Sequence, residues 1–540
     1  MNKKRWLCSA MAAMLLAGSL AGCGEKKTDL NSAEAGNVDE KLTITWLGRP
    51  TNPSAQEGTI PEKALEEKFN VEIKPIFFTS ENYNEKKTMM MAGGEIPDLI
   101  YELDPSHVAQ DVDQGFVMEL PYDTIAKYAP TVYGELNKEA PEAWLYSRVD
   151  KKNYGLPNLL LGNGYSRICL WRMDWLKNVG IDKVPETIDE MHEALYRFKN
   201  NDPDGNGKAD TYGMSGDIKN WHTMFTEVFG AYGVLPFNWM RDGDKVVYGG
   251  LQDGTKEALM TLQQWYSEGL IHPDFITDNV FSSGRDKFVN GMVGYINQNG
   301  GYFDPLDAGS MPTIAKQINP NAELVNAKPP KGPDGKAGSQ IWGKPAHILS
   351  LGVQNENNSA KVARILGILE GLITDEELMV QVRLGQRDKE WAYKDPAVGL
   401  DSGIKFLYPY DDNNQRLNEC FEPNFGSPSF FSPIAGTNAM YQKYRSKDEK
   451  EVYDKYSSVE LGMADAFTKP DTLPSAGEYF ADLRTKQINL MVQIIKGEKT
   501  IEQYSEFEEI WRSQGGAVLE KEAQEMNAEM EKMYQEVGVK

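Results

Sequence analysis

A chain of 540 residues is too long for one hydrophobic core, because single cores stop growing at about 250–300 residues, so it divides into at least two units. Its 40% hydrophobic and 25% charged residues are ordinary for a globular protein. With 57 basic against 80 acidic residues the formal charge is −23, which repels nucleic-acid backbones and anionic membrane surfaces and excludes both as electrostatic partners.

The N-terminus carries a basic head, Lys3, Lys4 and Arg5, then an apolar run over 6–20, then Leu20-Ala21-Gly22-Cys23. Head and run have the layout of a secretory signal, and the run is short of the roughly 20 residues that span a bilayer. Small residues before a cysteine fit a lipoprotein cleavage site, so residues 1–22 are expected to be removed and Cys23 to carry a diacylglycerol thioether. Removal takes three positive charges and no negative one, leaving −26. Residues 23–40 are polar and read as a flexible tether between lipid and domain. The protein is therefore expected on the outer face of the cell membrane.

KLTITWLG (41–48) alternates Leu42, Ile44 and Trp46 on one face, as a strand does. PEKALEEKF (61–69) reads as a helix, NVEIKPIFF (70–78) as a strand, ENYNEKKTMMMAGG (81–94) as a helix closed by glycines, and PDLIYEL (97–103) as a third strand. Such an order implies a parallel α/β sheet, whose ligands bind beyond the carboxyl ends of the strands. That rule selects the loop holding Arg49, Thr51 and Asn52, with Trp46 at its edge, and the loop 104–107. A second unit is expected to begin near Tyr154–Pro157, with a strand turning helical over 168–176. Residues 185–200 predict a helix with Thr187 and Glu190 as a capping box. Residues 255–270 predict another, closed by Gly269. Residues 327–340 read as a surface loop, and the chain from about Phe480 as helices.

DPDGNGKAD (202–210) has the front half of a calcium loop: oxygen ligands at Asp202, Asp204 and Asn206, a turn-permitting Gly207, the Lys208 carbonyl, and Asp210. The bidentate Glu expected three residues after position 9 is Gly213, and a strand-like TYGMSG follows in place of a second helix. A sensor must move two helices apart, so a bound Ca2+ here would be structural. The plain alternative is a solvated acidic turn. GSQIWGK (338–344) imitates a phosphate loop, but Pro345 follows where a Ser or Thr is needed. No HExxH, GxSxG or CxxC occurs, and no catalytic residue is assigned. Cys169, in an apolar stretch, reads as a buried free thiol, with pairing to Cys420 left open. Of 11 Trp and 25 Tyr, several stand beside polar residues, where flat rings stack on sugar C–H faces or simply pack.

Motifs along the mature chain resemble the lipid-anchored solute-binding proteins of bacterial ABC sugar importers, in the branch common in Gram-positive bacteria. TMMMAGGEIPDLIY (88–101), GFVMELPYDTIAKYAP (115–130), KNYGLP (152–157), the block 170–214, WYSEGLIHPDF (265–275) and FVNGMVGY (288–295) carry the resemblance. It implies two α/β lobes, each discontinuous in sequence, around a ligand cleft: 41–157 with about 346–410, and 158–345 with about 411–540. It also implies closure on a ligand, delivery to ABC permease subunits, and a structural calcium held by Asp202, Asp204, Asn206, the Lys208 carbonyl and Asp210. Thr211 stands where relatives often have an acidic residue, and 383–395 lacks a histidine often found there.

The expectation is thus a non-enzymatic, monomeric, lipid-anchored oligosaccharide-binding protein. Trp46, Arg49, Trp171, Trp221, Tyr302, Trp342 and Trp391 are its candidate ligand contacts. An anchored glycan-degrading enzyme, a binding protein for a non-sugar solute, and a sensory lipoprotein stand as alternatives.

Overall fold

The computed structural model describes residues 39–48, 57–79, 82–103, 105–159, 167–218, 221–279, 282–299, 310–341, 345–412, 415, 443–447, 450–451, 462–467 and 470–537. The strands Leu42–Leu47, Val71–Ile76 and Leu99–Glu102 form where expected and run parallel. The first crossover helix, Ile60–Phe69, starts at a full capping box of Thr59 and Glu62 with Pro61 in its first turn, and stops at Asn70 in the left-handed region. Two later segments, Leu156–Leu159 and Pro345–Leu351, complete a five-stranded sheet, both antiparallel to their neighbours. The sheet is therefore mixed rather than purely parallel. Its core joins Leu42, Ile44, Val71 and Leu99 to Val132 and Leu136 and to Ile365, Leu369 and Leu372 of the helix Ser359–Thr374.

A second sheet has four strands in the order Leu324–Ala327, Arg167–Arg172, Val293–Asn299, Tyr212–Met214. Its core gathers Trp175, Leu195, Phe198, Leu259 and Trp265 with Phe480, Leu490, Trp511 and Leu519 from the C-terminal helices Ala476–Ile495, Ser505–Ser513 and Gly516–Val537. In Arg167–Arg172 both faces are covered: Cys169 and Trp171 enter this core, while Ile168 and Leu170 enter a smaller one with Phe288 and Val293. The chain passes from the first sheet toward the second after Leu159, is back in the first sheet by Pro345, and has returned to the second core by Phe467.

Two local expectations change. Thr187 caps the helix Ile188–Asn200 by accepting from the Glu190 N–H, but the Glu190 carboxylate takes the N–H of Glu186 rather than that of Thr187, so the box is half made. Residues 328–338 are more than a surface loop. Pro329 and Pro330 are buried, Lys331 bridges Thr187, and Gly332 lies so close that an added Cβ would stand 1.9 Å from the Ala231 carbonyl oxygen. Among the described residues no helix is long and apolar enough to cross a membrane.

Candidate functional site

The strand Tyr212–Met214 runs parallel to Val293–Asn299 and stops beside Tyr295, while its neighbour continues to Asn299. Past Met214, alongside the neighbouring strand, lies a small pocket of roughly 30 Å³, lined by Ser215, Asp217, Thr223, Glu227, Tyr295 and Asn297 among others. The pocket sits at the sheet end that faces the crossings. Asn299 pairs with Arg167, the first residue of the strand that follows the Leu159 crossing, and Asn297 Nδ2 lies 3.3 Å from Ser339 Oγ, just before the return crossing. This is where an α/β sheet presents ligand-binding groups.

Buried groups hold the pocket's shape. Asp217 and Glu227 are each 2% exposed. Asp217 accepts from the Thr223 hydroxyl at 2.8 Å. The Tyr295 hydroxyl donates to the Cys169 sulfur at 3.0 Å; burial first, then Cys169 and Glu227, push this phenol well above its ordinary value and keep it a donor. Cys169 is a buried free thiol, as its apolar setting suggests. Phe225 has φ +48°, a strained value for a bulky residue, and its ring underlies Gly216, where a Cβ would stand 2.5 Å from Phe225 Cζ.

The carboxyl end of the first sheet is built differently. Glu102, the last residue of its strand, takes Lys87 Nζ at 2.5 Å, and Asp111 takes the same nitrogen at 2.7 Å, all three nearly fully buried. Burial, with Asp111 adding and Lys87 opposing, pushes Glu102 up to about 8.

The acidic loop 202–210 turns as its sequence predicts. Asp202 (φ +46°), Gly205 (+69°) and Gly207 (+77°) take left-handed conformations. The Asp202 carboxylate accepts from the Asn206 and Gly207 N–H groups at 3.0 and 2.9 Å. Asn206 Nδ2 donates to Asp204 at 2.7 Å and to Asp210 at 3.2 Å, so one amide bridges two carboxylates, while its Oδ1 accepts from the Lys208 N–H. Burial, with Asp202 and Asp210 adding, holds Asp204 above its ordinary value. The donor set is all oxygen, which suits a hard cation such as calcium. As arranged, no three acidic, His or Cys side chains among the described residues converge closely enough to hold a metal. Ion binding requires Asn206 to turn its oxygen, not its nitrogen, toward the carboxylates. The loop is tied to the core by Asn178 Nδ2 on the Pro203 carbonyl and by Thr211 Oγ1 on the Phe198 carbonyl. It leads into Tyr212–Met214, so it grips the far end of a strand whose near end opens into the pocket.

Of the aromatic ligand candidates, Trp46, Trp171 and Trp391 are corrected to core residues. Trp46 and Trp171 are 1% and 2% exposed inside the two main cores. Trp391 packs with Met379 and Leu384 and donates to the Gly385 carbonyl. Each indole is covered, so none offers a face for stacking. Trp221 is half-buried, two residues from Thr223 of the pocket, with the Arg484 guanidinium 3.9 Å above its ring. Arg49, Tyr302, Trp342, Cys23 and Cys420 lie outside the described residues, as do Thr51, Asn52 and Asp104. Within 338–344, Ser339–Ile341 is a strand paired with Gly462–Ala464, and 342–344 lie outside the described residues. The sequence reading missed Asp217, Glu227 and Asn297. The carboxyl-end rule would have found them, had it been applied to the second sheet, but its strand order is not legible locally.

Two lobes with a pocket beside their crossings define a solute-binding class of protein. The chain belongs to the bacterial extracellular solute-binding protein family, whose model matches residues 52–350. Lipoprotein LipO of Bacillus subtilis is 25% identical over 99% of this chain and 98% of its own. The polygalacturonan/rhamnogalacturonan-binding protein YtcQ of B. subtilis is 24% identical over 69% of this chain and 72% of its own. Among solved structures, the Streptococcus pneumoniae ABC-transporter substrate-binding protein FusA with kestose matches at TM-score 0.68 and 18% identity, over 91% of this chain and 99% of that one. An EF-hand mutant of FusA with fructo-nystose matches at 0.67 and 18% identity, with the same coverage. These likenesses give the two-lobed fold. Members of this family bind solutes rather than transform them, so the chain is a binding protein and not an enzyme.

Proposed function

We propose that this protein captures an oligosaccharide between its lobes and delivers it to the permease subunits of an ABC importer, working as a monomer held to the outer membrane face by a lipid on Cys23. The supporting observation is the family match together with a two-lobed fold whose second sheet has a polar pocket of Asp217, Thr223 and Asn297 where the strand Tyr212–Met214 stops. Lobes comprising 41–157 with about 346–410, and 158–345 with about 411–540, would close on the ligand by hinge motion and so shift an open–closed equilibrium. Arg49, Trp221, Tyr302 and Trp342 remain candidate contacts.

Calcium belongs to the same reading. Side-chain oxygens of Asp202, Asp204, Asn206 and Asp210 and the Lys208 carbonyl would hold it, and FusA's EF-hand supports the assignment. When bound, the ion supplies positive charge among three carboxylates and cross-links the loop. A thermal-shift screen with fructo-, manno-, galacto- and xylo-oligosaccharides and galacturonan fragments tests the function. At least one glycan is expected to raise Tm by mass action; a flat response to all of them sinks the oligosaccharide reading.

A further inference from the structure

We infer that the helix Gly516–Val537 is a strap that fastens the second lobe to the segment 141–148 of the first, so that lobe closure pivots on this seam and ligand affinity depends on its staying packed. The inference rests on the hinge closure proposed above and gives it a pivot.

The seam starts from the geometry of one short segment. Pro141–Ser147 is a 3-10 helix, whose three residues per turn fan its side chains in three directions. Trp144 and Tyr146 enter the core of the first sheet, while Leu145 between them enters the core of the second, with Ala523 and Met530 of the strap helix. All three are at most 8% exposed, and the strap helix lies against their segment. Two polar contacts flank Leu145. The Tyr146 hydroxyl donates to the carbonyl of Phe467 in the second core, and Arg148 pairs with Glu529 of the strap helix. A further close approach involves Gly477, near the start of the helix Ala476–Ile495. An added Cβ there would stand 3.2 Å from Gln110 Nε2, on the first lobe's helix Pro105–Asp113.

Each side of the seam is held by its own lobe. In the first, Trp144 Nε1 donates to Asn137 Oδ1 at 2.8 Å and Ser147 Oγ to Asn153 Oδ1 at 2.7 Å. In the second, the Glu522 carboxylate accepts from the Ser475 N–H at 2.9 Å, and Arg241 Nη1 donates to Asn527 Oδ1 at 2.8 Å. The chain does not pass between the sheets through Pro141–Ser147 or through the strap helix, so the seam joins the lobes by packing alone. Lobes move freely unless an apolar interface holds them. Parting this seam would expose Leu145, strip Tyr146 of its acceptor and separate Arg148 from its carboxylate. Rotation about the seam keeps all three contacts. A loosened seam spreads the ligand-free chain over more lobe arrangements, and apparent affinity falls with the fraction that can close on ligand.

The test uses the full chain and a charge swap. Arg148→Glu sets two carboxylates against each other at the seam, and adding Glu529→Arg restores opposite charges; circular dichroism checks folding. Small-angle scattering without ligand reads the spread of the lobes. Calorimetric titration with each glycan of the thermal screen that raises Tm reads affinity. Arg148→Glu is expected to raise the radius of gyration and to weaken glycan binding about threefold or more, and the swapped pair to return both toward wild type. Tyr146→Phe should shift both in the direction of Arg148→Glu. An unchanged radius in Arg148→Glu and Tyr146→Phe, or a rise that Glu529→Arg does not reverse, overturns the inference. Tighter binding in Arg148→Glu also overturns it, since the contact would then hold the lobes apart. If Arg148→Glu does not fold, Glu529→Gln removes the pair without repulsion and is held to the same scattering outcomes. Should no glycan bind wild type, the oligosaccharide reading falls and scattering alone decides the strap.

Discussion

At the carboxyl end of the first sheet, Glu102 and Asp111 share the ammonium of Lys87, and the three side chains are buried together. At the corresponding end of the second sheet, Asp217 and Glu227 line a small pocket whose described residues include no cationic side chain. Both ends gather two acidic groups near the crossings. One closes on a cation from its own chain, and the other borders a small cavity, with Asp217 accepting from the Thr223 hydroxyl. The acidic loop at the far end of Tyr212–Met214 is a third case: it draws together carboxylates and, in the function proposed here, takes its cation from solvent. A buried acid thus means different things according to where its counter-charge comes from.

The largest effect should follow removal of the internal cation. Lys87→Met leaves Glu102 and Asp111 facing each other without their ammonium, and should cost about 3–5 kcal/mol in denaturant unfolding. A loss below about 1 kcal/mol would mean the triad is no more than a surface-like pair, and the contrast between the sheet ends would fail. Next comes the borrowed cation. Chelation should remove about 2–3 kcal/mol relative to calcium at a hundredfold excess over its Kd, and Asp204→Asn should blunt that difference. The sugar-induced rise in Tm should survive chelation, because the loop lies at the opposite end of the strand from the pocket. Its disappearance would make the metal part of the binding site.

A pH slope probes the same triad. Glu102 is pushed from an ordinary carboxyl value near 4.5 up to about 8 in the folded chain, burial being the first cause. The folded state therefore binds this proton more tightly than the unfolded state. Its contribution to stability is complete below about 4.5 and is lost as pH rises toward about 8. Tm should fall steadily across that window, and Glu102→Gln should flatten the fall. An equal slope in the variant would place the titration elsewhere and loosen the account of the first sheet's end.

The three opening strands, the capped helix after Thr59, the turn at 202–210 and the strand after it are all legible in sequence, because each is specified by neighbours within a few residues. The tryptophans were not. Trp171 alternates with Ile168 and Leu170, but that strand is covered on both faces, and period-two alternation identifies opposite sides without saying whether either meets solvent. Trp46 sits on the buried face of its own strand, so nearness to the selected loop did not make it a contact.

The sequence by itself determined the class of fold, the left-handed turns that shape the acidic loop, the hydrophobicity of the cores and the acidity of the whole. These depend on residue type and short spacing. Only the tertiary structure decided which acids meet Lys87 and which line a cavity. Asp217, Glu227, Tyr295 and Asn297 come from segments up to 80 residues apart, joined where the strand Tyr212–Met214 stops beside a longer parallel neighbour. Lys87 reaches Glu102 and Asp111 because a crossover helix packs its buried face on the sheet. Charge meets counter-charge through strand order, and strand order is a long-range pairing that no local pattern encodes.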